Sequence, residues 1–284
     1  MDIASYPPPV DKLLTLGDAR EVGTNVKDWS IYLELGLGPE HIPDLIRMAT
    51  DEELRWAYSD TLEVWAPIHA WRALGQLRAE AAIEPLLSLL HEGDNVDDDW
   101  VIEELPEVYG MIGPAAIPAI TGYIADDSHL EWARITAIGC LEKIGTMHPD
   151  SRDTCVAILI RRLELCEKDD PTVNGFVISS LIDLRALEAA PAIERAFTAD
   201  CVDLSIAGDW EDVQIELGLK TREEILQDQY RAVLNPASQP SISHEETDKP
   251  LFSLPKTSRI QTVTHKKVKQ KMSKQSRKKN RRRK

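Results

Sequence analysis

From about Pro67 to Phe197 apolar residues recur at intervals of three and four, with almost no alternating run of β-branched or aromatic residues of the kind a half-buried strand shows. The pattern predicts an all-α chain. It also repeats. Ala73-Leu74-Gly75-Gln76-Leu77 leads into Ala81-Ala82-Ile83-Glu84-Pro85-Leu86-Leu87, and Val108-Tyr109-Gly110-Met111-Ile112-Gly113 leads into Pro114-Ala115-Ala116-Ile117-Pro118-Ala119-Ile120. Leu181-Ile182-Asp183-Leu184 likewise precedes Glu188-Ala189-Ala190-Pro191-Ala192-Ile193, and a looser copy runs from Ala137 to Gly145. With Leu77, Ile112, Ile144 and Leu184 taken as equivalent, the spacings are 35, 32 and 40 residues, the last stretched by a polar insertion, Met147 to Arg152. Periods in this range are those of helix-pair repeats.

Each unit has a physical reading. A first helix ends at a small or apolar pair, a tight turn follows, and Pro opens the second helix, where its missing N–H costs little because first-turn donors have no helical partner. The alanines at 81–82, 115–116 and 189–190 are small enough to let paired helices approach closely. A single pair cannot bury its apolar face, so successive pairs are expected to stack into an α-solenoid. The runs Leu74-Gly75-Gln76-Leu77 and Ala81-Ala82-Ile83-Glu84-Pro85-Leu86 resemble the HEAT-like repeat of the phycobilisome-lyase type, across roughly residues 65–200. That resemblance implies the solenoid architecture and leaves activity open, since such units also build scaffolds, chaperones and adaptors.

The flanks differ from the repeats. Residues 1–62 begin irregularly at Tyr6-Pro7-Pro8-Pro9 and carry two short helices, Glu40–Met48 and Asp51–Tyr58, the second opened by a Thr50-x-x-Glu53 capping box. They read as an N-terminal helical cap on a repeat region spanning 63–200. Residues 201–234 read as a C-terminal helical cap, interrupted at Gly208-Asp209-Trp210 and Leu217-Gly218-Leu219, and closing with a helix capped by Thr221 and Glu224. Residues 235–264 have the Pro/Ser/Thr composition of a flexible linker, and 265–284 form a basic tail without the apolar residues to fold.

Charge sharpens this division. The whole chain of 284 residues has 48 acidic and 33 basic side chains, but twelve of the basic ones lie in the last twenty residues, leaving residues 1–264 with a net charge of −27. The tail cations Lys266, Lys267, Lys269, Lys271, Arg277, Lys278, Lys279, Arg281, Arg282 and Arg283 point to polyanion contact by counterion release along RNA or DNA. Folding back on the acidic body and a role in solubility or transport are the competing readings. No aromatic residue interleaves with these charges, which argues against base stacking. No stretch suits a membrane span, and MDIASYPPPV has neither a basic n-region nor an apolar h-region, so a cytoplasmic protein is expected. Cys140, Cys155, Cys166 and Cys201 match no disulfide framework or CxxC pattern and read as ordinary thiols.

The chain contains no GxxxxGK[ST], no GxGxxG after a strand, no GxSxG and no HExxH, and no two of its seven histidines are four apart. No catalytic residue, metal ligand or cofactor is assigned. Asp94-Asn95-Val96-Asp97-Asp98-Asp99 invites a calcium reading, yet an EF-hand loop from Asp94 would need Gly and Glu where Asp99 and Leu105 stand, so a solvated loop is preferred. Trp100, Glu103, Glu104 and Glu107 combine an anchor-type aromatic with the densest negative charge and are the candidate binding surface. Seven tryptophans against three phenylalanines is an unusual balance that opens an aromatic recognition surface, with core packing as the default because helical spacing such as Trp65 to Trp71 places neither ring outside. Taken together these features predict a non-enzymatic interaction scaffold whose acidic face selects a partner protein with a basic surface. The repeat resemblance implies a rival, a phycobilin lyase or chromophore-handling chaperone. A hydrolase with dispersed carboxylates has no motif behind it.

Overall fold

A computed structural model describes residues 6–234 apart from Thr24, Ser59 and residues 92–98. The acidic run from Asp94 to Asp98, the linker at 235–264 and every tail cation therefore lie outside the described residues. Residues up to Asp203 make one compact unit and residues from Leu204 a second.

Among the described residues all regular elements are helical. In the first unit they are α1 (Ile31–Glu34), α2 (Ile42–Ala49), α3 (Glu52–Arg55), α4 (Ala66–Gln76), α5 (Ile83–His91), α6 (Asp99–Ile112), α7 (Ile117–Ala125), α8 (Glu131–Met147), α9 (Arg152–Leu163), α10 (Pro171–Asp183) and α11 (Ala190–Thr198). The last eight form four pairs. First helices pack on one another in the order α4, α6, α8, α10, and second helices in the order α5, α7, α9, α11. Leu74, Leu105, Val108, Leu141, Val177 and Leu181 are fully buried along the first file, as the three-and-four spacing requires. No single described helix is long and apolar enough to cross a membrane. The pair α6 and α7 is apolar in composition because pairs on both sides cover it, and it is bent by 112° at Gly113.

A short 3-10 turn joins the two helices of each pair: Glu80–Ala82, Pro114–Ala116, Pro149–Ser151 and Leu187–Ala189. These turns start 34, 35 and 38 residues apart. The register therefore differs from the expected one at the third pair. Met147 to Arg152 is no insertion: Met147 ends α8, which continues three residues past Ile144, Pro149–Ser151 is the turn, and Arg152 starts α9. The alanines also act differently from expectation. Ala82, Ala116 and Ala189 are fully buried, but they lie in or at the edge of the turns. Close helix approach falls instead on glycines: a Cβ on Gly75 would come within 3.4 Å of the Val108 Cα of α6, and one on Gly145 would meet Leu184 Cδ2 at 2.8 Å.

The N-terminal segment packs on the first pair, with α1, α2 and two 3-10 turns (Val10–Thr15 and Val26–Ser30) against α4. Asp51, one residue beyond the expected Thr50, caps α3 by accepting from the Leu54 N–H at 3.2 Å, while the Thr50 hydroxyl donates back to Ile46 O of α2. A carboxylate, with one oxygen for the Leu54 N–H and the other for the Tyr6 hydroxyl at 2.7 Å, suits a helix start better than a hydroxyl already engaged in ending the previous helix.

The second unit holds α12 (Leu204–Ala207), α13 (Trp210–Glu216) and α14 (Arg222–Leu234). Gly218, with φ +72°, ends α13 in the left-handed conformation that glycine adopts without strain. Thr221 and Glu224 form the expected reciprocal box: the Thr221 N–H donates to Glu224 Oε2 at 2.7 Å, and the Glu224 N–H to Thr221 Oγ1 at 3.3 Å.

Candidate functional site

Two buried charge clusters stand in the first unit. The first is built on α4 and α6. Arg72, in the middle of α4, is fully buried and faces Glu104 of α6 through two parallel bonds, Nε to Oε2 at 2.8 Å and Nη2 to Oε1 at 2.5 Å. The Trp71 indole N–H donates to the same carboxylate at 3.2 Å. Arg72 Nη1 reaches Ala19 O at 2.8 Å and Tyr32 Oη at 3.4 Å, and the Trp29 ring lies 4.8 Å from the guanidinium carbon. Such a fork of satisfied donors is what a guanidinium needs inside a protein. Burial opposes its charge, but hydrogen bonds and attraction from Glu104 outweigh this and raise the Arg72 pKa.

His69, one helical turn before Arg72, completes this cluster. Its Nε2 lies 2.8 Å from Gly17 O, a pure acceptor, so Nε2 carries the proton and Nδ1 accepts from the Tyr32 hydroxyl at 2.7 Å. Burial pushes its pKa down to about 4 and that of Tyr32 up to about 12. The ring is neutral and structural at pH 7. The side chain is wholly enclosed.

The four residues nominated as a binding surface do not share one face. Glu104 is buried against Arg72, so it presents no carboxylate to a partner. Glu107 pairs with Lys143 of α8 at 3.1 Å. Trp100 is half-buried and meets Trp65 edge-on, with ring centroids 5.5 Å apart. Glu103 alone of the four is exposed. Of the tryptophans, Trp29 and Trp71 are core residues and Trp56 is exposed.

The second cluster was not anticipated. Arg134 in the first turn of α8 and Arg162 in the last turn of α9 converge on Asp169, which precedes α10, and on Asp127 from the loop between α7 and α8. Arg134 Nη1 donates to Asp169 Oδ1 at 2.7 Å, and Arg162 Nη2 donates to the same oxygen and to Asp127 Oδ1, the latter at 2.8 Å. A looser contact of 3.4 Å from Arg134 to Asp127 closes an alternating Arg–Asp–Arg–Asp ring. The Asp169 side chain is 1% exposed and that of Asp127 66%. Hydrogen bonding from Arg162 holds the Asp127 carboxyl below the ordinary carboxylate range. Three buried atoms of the ring, Arg134 Nε, Arg162 Nε and Asp169 Oδ2, have no hydrogen-bond partner in the structure. The loop bearing Asp127 is held by His129, whose ring stacks on Tyr123 at 3.8 Å and whose Nδ1 lies 2.9 Å from Tyr123 O.

Chemically, the ring seats oxyanions, and both that it holds belong to the chain. Its sequence signal was an arginine set inside an apolar helical stretch, Trp132-Ala133-Arg134-Ile135, as Arg72 is between Trp71 and Ala73. Among the described residues no group of three or more His, Cys, Asp or Glu side chains converges as a metal ion would require.

No curated protein and no solved structure matches the chain. A family match does exist, to residues 40–234, which takes in α2 to α14, the Arg72–Glu104 pair and the ring around Arg134. Since it covers more than half of the sequence, the chain belongs to the family described as "Protein of unknown function (DUF1186)".

Proposed function

We propose that this protein is a non-enzymatic interaction scaffold, an α-solenoid of HEAT-like helix pairs whose acidic surface takes a partner protein with a basic face. The observation that carries the reading is the packing order: first helices follow one another as α4, α6, α8 and α10, second helices as α5, α7, α9 and α11, and each second helix up to α9 also packs on the first helix of the next pair. Such files spend each pair's apolar face on its neighbours and leave the outer surface to recognition. With a net charge of −27 over residues 1–264, that surface favours basic partners by faster encounter and by rejection of acidic ones. The tail cations from Lys266 to Arg283 add a separable, salt-sensitive contact to nucleic acid.

The test captures partners with the full chain and with a full chain whose ten named tail cations are changed to Gln, each with and without nuclease at moderate salt. A discrete basic protein retained in all four samples supports the scaffold reading. Loss of bound material with nuclease or with tail neutralisation overturns it and makes nucleic-acid tethering the main activity.

A further inference from the structure

Cys166 and Cys201 stand 35 residues apart, one before α10 and one after α11, at the two ends of the fourth helix pair. Asn174 of α10 is fully buried, and its single amide nitrogen donates to Cys166 O at 2.9 Å and to Cys201 O at 2.8 Å. The two carbonyl oxygens are thus within about 6 Å of each other. A second tie, from the Asp203 N–H to Pro171 O at 3.0 Å, fastens the Cys201 segment to the start of α10. The side chains influence one another as well: after burial, the Cys201 thiol is the next cause that raises the Cys166 pKa, while the Cys201 thiol itself donates to Ala199 O at 3.3 Å. Cys201 is half-exposed, and Cys166 is buried behind it. One amide that clamps both backbones keeps the two cysteines neighbours across 35 residues of sequence, and a disulfide, with its Cα separations of only ~4–7 Å, needs such neighbours.

We propose that Cys166 and Cys201 are a dithiol–disulfide pair, oxidised by a hydroperoxide, that clasps the fourth helix pair shut. The accessible Cys201 thiolate attacks the peroxide, its sulfur taking one oxygen while the other leaves as water, to give a sulfenic acid. The Cys166 sulfur then displaces the sulfenic hydroxyl, which leaves as a second water with the Cys166 proton, and the S–S bond forms. Two electrons pass from the sulfur pair to the peroxide, and an external dithiol reverses the change. Burial pushes the Cys166 thiol up, so bulk oxidant meets Cys201 first and Cys166 acts as the resolving partner.

The test treats the reduced full chain with a small excess of hydrogen peroxide, alkylates what remains free, and maps tryptic peptides by mass. Cleavage at Lys168, Arg185 and Arg195 separates the two cysteines, so a disulfide appears as a joined pair of peptides lighter by two hydrogen atoms. The expected outcome is that joined pair, absent after dithiothreitol, absent in Cys166→Ser and Cys201→Ser, and kept in Cys140→Ser. The wild-type map decides the matter even where a variant fails to fold. Recovery of both cysteines as alkylated thiols, advance of Cys201 to sulfinic acid with Cys166 still free, or linkage to Cys140 or Cys155 each overturns the proposal.

Discussion

The two buried charge clusters solve the same problem differently. At Arg72 one guanidinium meets one carboxylate, in bidentate geometry, with a Trp N–H, a carbonyl and a Tyr hydroxyl taking up further bonding capacity, and the site is sealed. At Arg134 and Arg162 two guanidiniums share one buried carboxylate, a second carboxylate from an open loop completes the balance, and three buried atoms stay unpaired. A sealed pair is costly to break and fixed in composition. An open ring can exchange its exposed member at little cost. The first therefore belongs to the sealed core, fastening the N-terminal segment to the repeats, whereas the second ties the ends of α8 and α9 to the segments before α8 and α10 through one buried and one exposed carboxylate.

The largest expected difference comes from removing one carboxylate charge from each. Glu104→Gln leaves Arg72 charged in a site it cannot leave, and stability should drop by about 3–5 kcal/mol. Asp127→Asn removes an exposed partner while Asp169 remains, and the loss should be about 1 kcal/mol or less. Urea unfolding of both variants against the parent reads the pair. Equal losses would dissolve the distinction between sealed and open clusters.

Acid should separate the regions next. His69 has a folded pKa of about 4 against an ordinary value near 6.5. Between those limits the unfolded chain binds a proton that the folded one refuses. Stability is thus intact above pH 6.5 and declines as pH falls toward 4, by about 3 kcal/mol. None of the four ring members around Arg134 is a histidine. At pH 5, hydrogen exchange should accelerate in α1 and α4 before α8 and α10, and His69→Gln should flatten the pH slope of unfolding. A slope unchanged in that variant would remove His69 as its source.

Helix pairs and their turns were legible in the chain because prolines and alanines mark them locally: Pro85, Pro118 and Pro191 all sit in the first turn of a second helix. The third turn hid, since Pro149-Asp150-Ser151 has no alanine pair and resembles a polar insertion. The candidate surface failed for a reason of phase. Glu103 and Glu104 are adjacent, and adjacent helical positions point about 100° apart, so one faces water and the other α4. The ion networks were hidden because their partners are distant in sequence, but the distances have a rule. Arg72 and Glu104 are 32 residues apart, Arg134 and Asp169 are 35 apart, and Arg162 and Asp127 are also 35 apart. In a repeating chain a buried charge finds its partner about one period away, so searching apolar stripes for opposite charges at the repeat spacing would have found both clusters.

The smallest expected effect gives the comparison its control. Leu77-Arg78-Ala79 and Leu184-Arg185-Ala186 end the first helices of the first and fourth pairs with the same bond pattern: Ala79 N–H to Leu74 O at 3.0 Å and Arg78 N–H to Gly75 O at 2.9 Å, matched by Ala186 to Leu181 at 2.9 Å and Arg185 to Ile182 at 2.8 Å. Both arginines are exposed and hold φ near +50°, where a side chain is strained and glycine is not. Glycine also gives the unfolded chain more freedom, which cancels part of the relief. Arg78→Gly should net about 0.5–1 kcal/mol of stabilisation, and so should Arg185→Gly, although Arg185 O accepts from Arg152 Nη2 at 3.0 Å and its backbone must keep that place. Matching gains in thermal unfolding would mean that both ends of the repeat region share one cooperative transition, so that the unequal losses at Glu104 and Asp127 report the clusters themselves. A gain at Arg78 with none at Arg185 would mean that the fourth pair opens separately, and the cheap exchange assigned to Asp127 would then reflect a weak end of the stack instead of an open ring.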